Sequence, residues 1–269
     1  MSKFIKLLSS VQARRQLGRY SVEIDGAWMQ GRTTFGGLTA ALIIHAIQQQ
    51  VPADRALRSL SVSFIGPVPD GEHEIQIRTL REGGSVSHYH GEMVCDGEVT
   101  ASLSAAFGKS RDSRLSVSGP RMPNVPRPAE LRRMPNNPND PGFLKLFDLR
   151  FVSGAPPFSS AEKPDSSLWL SFLEDTPTTL AAIVALADVP PMPGLNMLRP
   201  AGAGSSLSWY LEFPNPFVDS DAGDSSAWLF YDYRAQSAAD GYFHNYATVW
   251  SENGTPILYS RQVATLFEK

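Results

Sequence analysis

Two glycines beside a helix form the first part of the sequence that could do chemistry. Gly36 and Gly37 directly precede an apolar stretch that begins at Leu38 and is predicted to be helical. The N–H groups of a first helical turn have no acceptor within the helix, and the helix dipole favours negative charge there. These glycines could therefore let a substrate oxygen approach the backbone closely, or could simply let the chain turn tightly into the helix.

A glutamine near the C-terminus is the second such feature. Gln262 belongs to a predicted strand whose alternation places it on one face with apolar and small residues, namely Leu258, Ser260, Ala264 and Leu266. A buried amide without partners costs free energy, so Gln262 is either a satisfied core residue or a group that holds a ligand or a water.

Several other chemistries have no support in the sequence. No serine lies in a G-x-S-x-G turn, and no phosphate-binding or dinucleotide-binding glycine loop is present. The five histidines lack metal-ligand spacing, so neither a metal nor another cofactor is expected. Cys95 is the single cysteine and cannot form an internal disulfide.

Composition restricts the partners and the compartment. The net charge of −3 supplies no overall basic field, so nucleic acid is not expected as a partner. No apolar run approaches the ~18 residues that would span a membrane. The N-terminal apolar patch is also shorter than a secretory core of about 7 residues or more, so we expect a cytoplasmic protein.

Proline divides the chain into two parts. Seven of the 21 prolines lie between residues 110 and 142, a density that opposes regular helix or sheet pairing. We therefore predict an N-terminal repeat at 1–110, a linker at 111–142 and a C-terminal repeat at 143–269. Residues 111–133 contain six arginines and two acids, so the linker is either a solvated basic segment or a surface that meets an anionic ligand.

The two parts contain the same order of elements. Each has a short helix that is apolar on nearly every face and must therefore be buried, predicted at 38–50 and at 180–187. For the second helix, Thr176 is the predicted N-cap and Pro177 the first helical residue.

Strands follow each helix. SLSVSF begins at Ser59 and SLSWYLEF at Ser206, and later hairpins are predicted to turn at Asp96-Gly97 and Asn253-Gly254. Aligning these hairpins puts Ser104 opposite Gln262, so the two halves differ at that position. The pattern predicts an α+β fold in which two similar halves share one antiparallel sheet around buried helices.

In these segments the sequence resembles the acyl-CoA thioesterase II type of double hotdog protein. The resemblance covers most of the chain. It rests on the order and spacing of several segments rather than on one motif. These segments are Gln30 to Gly37, RSLSVSFIGPVPDG (58–71), LREGGSVSHYHGEMVCDGE (80–98), LADVPPMP (186–193), WLFYDYRAQSAADGYF (228–243) and LYSRQVATLF (258–267). It implies two tandem hotdog repeats, each with a curved antiparallel sheet around a central helix. It also implies hydrolysis of acyl-CoA thioesters by water, without a covalent serine or a metal.

The resemblance further implies a set of site residues. Gly36 and Gly37 would polarise the thioester carbonyl, and Gln262 would orient the water. Relatives of this type place an aspartate and a threonine or serine around the same water. Counting along the strands puts the aspartate position at Ser208 and the hydroxyl position at Gln236, with Ser237 adjacent.

The general base is thereby left without a residue, because a serine hydroxyl cannot take the proton of water at neutral pH. Four carboxylates are open candidates: Asp25, Asp175, Asp232 and Asp240. Alternatively, the protein binds acyl thioesters and hydrolyses them poorly or not at all. A third possibility is a hotdog dehydratase or hydratase that would use His45 of the first helix.

The expected small-molecule partner is an acyl-CoA. Phe35 and His45 are candidates to line its pocket, and Arg32, Arg58 and the linker arginines are candidates to meet the CoA phosphates. Long sheet edges and the habit of the family predict a homodimer or a higher homo-oligomer.

Overall fold

The computed structural model describes residues 1–138, 140–199, 203–217 and 227–267. Its α-helices are α1 (Lys3–Ser9), α2 (Gly36–Gln48) and α3 (Leu180–Leu186). Its strands are β1 (Gln12–Ala13), β2 (Arg19–Ile24), β3 (Met29–Gln30), β4 (Thr33–Thr34), β5 (Ala56–Phe64), β6 (Gly71–Glu82), β7 (Val86–Cys95), β8 (Glu98–Gly108), β9 (Phe147–Ser153), β10 (Ser166–Phe172), β11 (Ala203–Glu212), β12 (Leu229–Ala239), β13 (Tyr242–Ser251) and β14 (Pro256–Phe267). No helix within the described ranges is long and apolar enough to cross a membrane.

Twelve of the strands form one antiparallel sheet to which both halves contribute. The order is β1-β2-β6-β7-β8-β5-β11-β14-β13-β12-β10-β9. The halves join where β5 pairs with β11, with Leu60 opposite Leu211. Both residues are buried, so the apolar core crosses the junction without a break. The prediction of an α+β fold with one shared sheet is confirmed.

The two apolar helices are buried, as their all-round apolar character predicts. α2 begins at Gly36, two residues before the predicted start, and the carbonyl oxygen of Phe35 accepts from the N–H groups of Leu38 and Thr39. α3 begins at Leu180, and its N-cap is Thr179, whose hydroxyl accepts from the N–H of Ala182 at 3.2 Å. The prediction of Thr176 as the N-cap was wrong, because its hydroxyl donates to the carbonyl oxygen of Glu174 instead.

The hairpin turns follow the sequence in part. Asp96 and Gly97 form a two-residue turn with φ of 50° and 85°, as predicted. The second predicted turn is longer: β13 ends at Ser251 and β14 begins at Pro256, so Asn253-Gly254 lies within a four-residue loop. Within that loop Gly254, but not Asn253, has positive φ.

The proline-rich linker packs along the protein rather than leaving it. Trp169, Phe230 and Trp250 form a small apolar cluster on the second half, against which Met122, Val125 and Leu131 of the linker pack. The indole N–H of Trp169 donates to the carbonyl oxygen of Pro126 at 2.9 Å, and that of Trp250 to Pro120 at 3.0 Å. The linker therefore acts as a strap that covers the tryptophans.

The crossing of β7 over α2 gives a test of this packing. A Cβ atom on Gly91 would lie 2.4 Å from Cγ2 of Ile43, a buried helix residue, whereas a Cβ on Gly84 would meet nothing within 4 Å. We expect Gly91→Ala to lower the free energy of unfolding by about 1–3 kcal/mol, because the sheet must move away from the helix. Chemical denaturation should show no such loss for Gly84→Ala, and equal stability of the two variants would contradict this packing.

Candidate active site

A pocket of about 530 Å³ opens at the N-terminal end of α2. It is bordered by the end of β5 and the start of β8 from the first half, and by the start of β11 from the second half. Apolar side chains form part of its wall: Phe64, Val68, Ala101 and Met192. Its polar lining comes from both halves and includes Arg32, Gly36, Thr39, Asp188 and Ser206.

Asp188, Ser206 and Gln262 form a hydrogen-bonded cluster at this pocket. The Gln262 amide nitrogen donates to Oδ1 of Asp188 at 3.1 Å and to Oγ of Ser206 at 2.8 Å. Asp188 and Ser206 line the pocket, whereas Gln262 is 5% exposed and lies behind them. Of these three residues, Asp188 and Ser206 therefore present oxygen atoms to a bound water or substrate.

The two glycines allow Asp188 to reach the start of α2. A Cβ atom on Gly37 would lie 2.7 Å from the carbonyl oxygen of Ala185 in α3 and 2.8 Å from Cβ of Asp188. A Cβ atom on Gly36 would lie 2.8 Å from Oδ2 of Asp188. Because neither glycine has a Cβ, the end of α3 packs directly against the first turn of α2.

An irregularity in β11 turns Ser206 toward the pocket. The pairing of β11 with β14 skips Leu207, so Ser206 is opposite Ala264 and Ser208 is opposite Val263. Such a bulge adds one residue and reverses the alternation of side chains across it. Ser206 therefore faces inward with the glutamine, while Leu207 is 40% exposed and Ser208 is exposed on the outer face.

The environment of Asp188 brings its titration into the neutral range. Burial of the carboxyl group raises its pKa from 3.8 to about 7, while hydrogen bonds from the Gly37 N–H and from Gln262 act in the opposite direction. A carboxylate with a pKa near neutrality can accept a proton from water at the pH where it works. This combination of burial and donors is what a general base requires.

Two family models match the chain. Residues 24–108 match the acyl-CoA thioesterase N-terminal domain, and residues 124–266 match the acyl-CoA thioesterase C-terminal domain. The chain belongs to the acyl-CoA thioesterase family. A search of curated proteins finds no match to the sequence.

Solved structures of low sequence identity share the fold of this thioesterase family member. A conserved protein of unknown function with hot dog fold from Alicyclobacillus acidocaldarius is 21% identical with a TM-score of 0.88, covering 100% of this chain and 99% of that one. A putative thioesterase II from Thermobifida fusca is 19% identical with a TM-score of 0.83, covering 100% and 98%. An acyl-CoA thioesterase II from Mycobacterium marinum is 19% identical with a TM-score of 0.77, covering 99% and 98%. The hotdog fold predicted for both halves is confirmed.

The structure does not bring the other predicted water-holding residues to Gln262. Ser208 is on the outer face of β11, beyond the bulge. Gln236 and Ser237 are exposed on β12, where the Gln236 amide oxygen accepts from Arg261 at 3.1 Å. These three residues are therefore not part of the cluster. Counting along the sequence does not detect the irregularities in β11 at Leu207 and in β12 at Gln236.

The four open candidates for the base also lie outside the pocket lining. Asp25 caps a short 3₁₀-helix by accepting from the Ala27 N–H at 2.8 Å, and Asp232 pairs with Arg234 at 2.7 Å. Asp175 and Asp240 are exposed, the latter in a two-residue turn with Gly241. Asp188 was missed from the sequence as a candidate base. Its position directly after a wholly apolar helix could have indicated that this carboxylate is drawn into the interior.

Some of the residues predicted to bind the substrate line the pocket and others do not. Gly36 and Arg32 line the pocket, with Arg32 exposed. Phe35 is instead a buried core residue stacked on Phe143 at 4.5 Å between ring centroids.

His45 is about 13 Å along α2 from Gly36, given a rise of about 1.5 Å per residue. Arg58 is at the opposite end of β5 from Phe64, where it donates to the carbonyl oxygen of Gly108 at 3.2 Å.

The raised pKa of Asp188 predicts a trade-off between stability and function. A neutral Asp188 stabilises the fold fully below about pH 4, and this contribution is lost as the pH rises toward about 7. Asp188→Asn cannot ionise, so we expect it to unfold at a higher temperature than the wild-type protein at pH 8, with the difference shrinking toward pH 4. Thermal unfolding across this range would measure it, with exposed Asp175→Asn as the control. Equal unfolding temperatures at pH 8 would show that Asp188 is not desolvated.

Proposed function

We propose that the protein hydrolyses acyl-CoA thioesters by direct attack of a water molecule that Asp188 activates. The observation that carries this proposal is the contact of Gln262 with both Asp188 and Ser206 beside the first turn of α2. Family membership supplies the substrate class, and the cluster supplies a base, a hydroxyl and backbone donors in one pocket.

The proposed water lies between the carboxylate of Asp188 and the hydroxyl of Ser206. Oδ1 of Asp188 already accepts from Gln262, and Oδ2 is the carboxylate oxygen nearest to the Cβ position of Gly36. A water held by Oδ2 and Ser206 Oγ would thus stand at the start of the helix. Because Gln262 lies behind the pocket lining, its proposed role is to orient both residues rather than to contact the substrate.

The thioester carbonyl would receive its support from α2. Gly36 is the first residue of the helix, so its N–H has no intrahelical acceptor and lies at the positive end of the helix dipole. The Gly37 N–H contributes indirectly, because it donates to Asp188. This divides the roles expected of the two glycines: Gly36 for the carbonyl oxygen and Gly37 for the base.

The reaction then balances without a covalent enzyme intermediate. Asp188 takes a proton from the water as its oxygen attacks the carbonyl carbon, and negative charge develops on the carbonyl oxygen near Gly36. Collapse of this species breaks the C–S bond, and the proton held by Asp188 passes to the departing thiolate of CoA. The products are a carboxylic acid and free CoA. The walls formed by Phe64, Val68 and Met192 suit an apolar acyl group, and exposed Arg32 suits a phosphate of CoA.

The rival proposal, a protein that only binds acyl thioesters, rested on the lack of a carboxylate beside Gln262. The 3.1 Å contact between Gln262 and Asp188 supports hydrolysis instead, and binding without turnover is one outcome of the test below. The rival hydratase reading depended on His45, which is outside the pocket lining.

Release of CoA thiol from acetyl-, octanoyl- and palmitoyl-CoA tests the proposal. We expect turnover with at least one of them, and a fall in kcat of about 100-fold or more for Asp188→Asn, because removal of a general base typically costs that much. In the wild-type enzyme kcat/KM should rise with pH through about 7, since Asp188 must be ionised to act. Tight binding by calorimetry with no thiol release would reject hydrolysis in favour of binding alone.

Two serines of β11 provide a second test. The structure places Ser206 at the pocket, whereas counting along the sequence pointed to Ser208. Ser206→Ala should lower kcat by about tenfold or more, since one of the two groups that hold the water is lost. Ser208→Ala should remain near the wild-type rate, because its side chain is on the outer face of β11. The reverse result would favour Ser208, and calorimetric acyl-CoA affinities would show whether either variant acts through binding.

A further inference from the structure

The hydroxyl group of Tyr233 adds a buried member to the hydrogen-bonded cluster. It donates to Oε1 of Gln262, and the two residues are 3% and 5% exposed. Tyr233 is in β12, and β13 lies between this strand and β14. On β13, Ala247 pairs with Tyr233 on one side and with Ser260, two residues before Gln262, on the other. The hydrogen bond therefore reaches across the intervening strand.

The hydrogen bonds of Gln262 distinguish the two ends of its amide. Its nitrogen donates to Asp188 and Ser206, while its oxygen accepts from Tyr233. If the amide were reversed, its oxygen would face the carboxylate of Asp188. The hydroxyl group of Tyr233 would then no longer donate to Gln262 Oε1, which is its acceptor among the described residues. A buried donor without an acceptor is costly.

We propose that Tyr233 is a positioning residue that holds the Gln262 amide with its N–H toward Asp188, and so keeps Asp188 ready to act as a base. This inference rests on the proposed function, since it concerns the same carboxylate. An N–H bond favours ionised Asp188, whereas a reversed amide would accept a proton from neutral Asp188 and favour the inactive form. The tyrosine would therefore act on catalysis through two intervening groups without touching the substrate.

Two titratable side chains of the described residues interact with Asp188 inside the protein. They are Tyr231 and Tyr233, and Arg32 lines the same pocket. Burial raises the pKa of both tyrosines, so both hydroxyls keep their protons throughout the working range. Tyr231 lies two residues from Tyr233 and is equally buried, but its hydroxyl bonds to Ser260 rather than to Gln262.

This difference makes Tyr231→Phe a matched control for Tyr233→Phe. We expect Tyr233→Phe to move the midpoint of the kcat/KM profile upward by about one pH unit, because the amide no longer has a fixed direction. Activity should then fall about tenfold at pH 6 but stay within about twofold of wild type at pH 9. Tyr231→Phe should leave the midpoint in place. A loss that is uniform across pH, or an unchanged profile, would overturn the proposal.

A double-variant cycle tests whether Tyr233 acts through the amide. In a Gln262→Leu background there is no amide to orient, so adding Tyr233→Phe should produce no further shift of the midpoint. An additional shift of the same size as in the wild-type background would show that Tyr233 acts directly on Asp188, contrary to the proposal.

A measurement without turnover separates this inference from the proposed function. The stability difference between Asp188→Asn and its parent should change with pH between about 4 and the pKa of Asp188 in the folded protein, about 7. The midpoint of that change should lie higher when the parent is Tyr233→Phe than when it is wild type or Tyr231→Phe. If the wild-type protein released no thiol, hydrolysis would be rejected while this comparison still decided the role of Tyr233. An unchanged midpoint would reject the role even in an active enzyme.

Discussion

The close contact between the first turn of α2 and the end of α3 is the constraint on which the site depends. It places the carbonyl of Ala185 and the side chain of Asp188 where any Cβ on Gly37 would overlap them. It therefore brings a carboxylate of the second half to the helix N-terminus of the first half. Burial there costs Asp188 solvation, and the Gly37 N–H and the Gln262 amide offset part of that cost. The same contact thus creates both the location and the basicity of the group.

The two halves share one sheet but contribute different groups to the site. The first half supplies the helix start and most of the apolar wall, and the second half supplies Asp188, Ser206, Gln262 and Tyr233. On β8 the inward positions near the middle of the strand are apolar, as Leu103 and Ala105 show, while Ser104 is exposed. The described first half therefore has no counterpart of the inward glutamine on that strand. A buried amide is tolerated on β14 because three neighbours satisfy it.

The strap formed by the linker has a packed side that its composition did not indicate. A run of prolines and arginines suggested a solvated segment or an anion-binding surface. In addition, its apolar residues and carbonyl groups cover Trp169 and Trp250, whose indole N–H groups need acceptors when buried. Arg127 donates to the carbonyl oxygen of Glu252, and Arg133 to that of Phe147. Neither is among the residues that line the pocket beside α2.

The sequence by itself determined the duplicated α+β fold, because wholly apolar helices must be buried and alternating strands must cover them. It also indicated the glycine pair and the inward face of Gln262, since both follow from local spacing. Only the tertiary structure identified Asp188 and Ser206. Asp188 reaches Gln262 through the crossing of two helices far apart in the chain, and Ser206 faces inward because a bulge at Leu207 shifts the alternation. Neither a helix crossing nor a bulge is encoded in local periodicity, since each depends on which other strands and helices the segment meets.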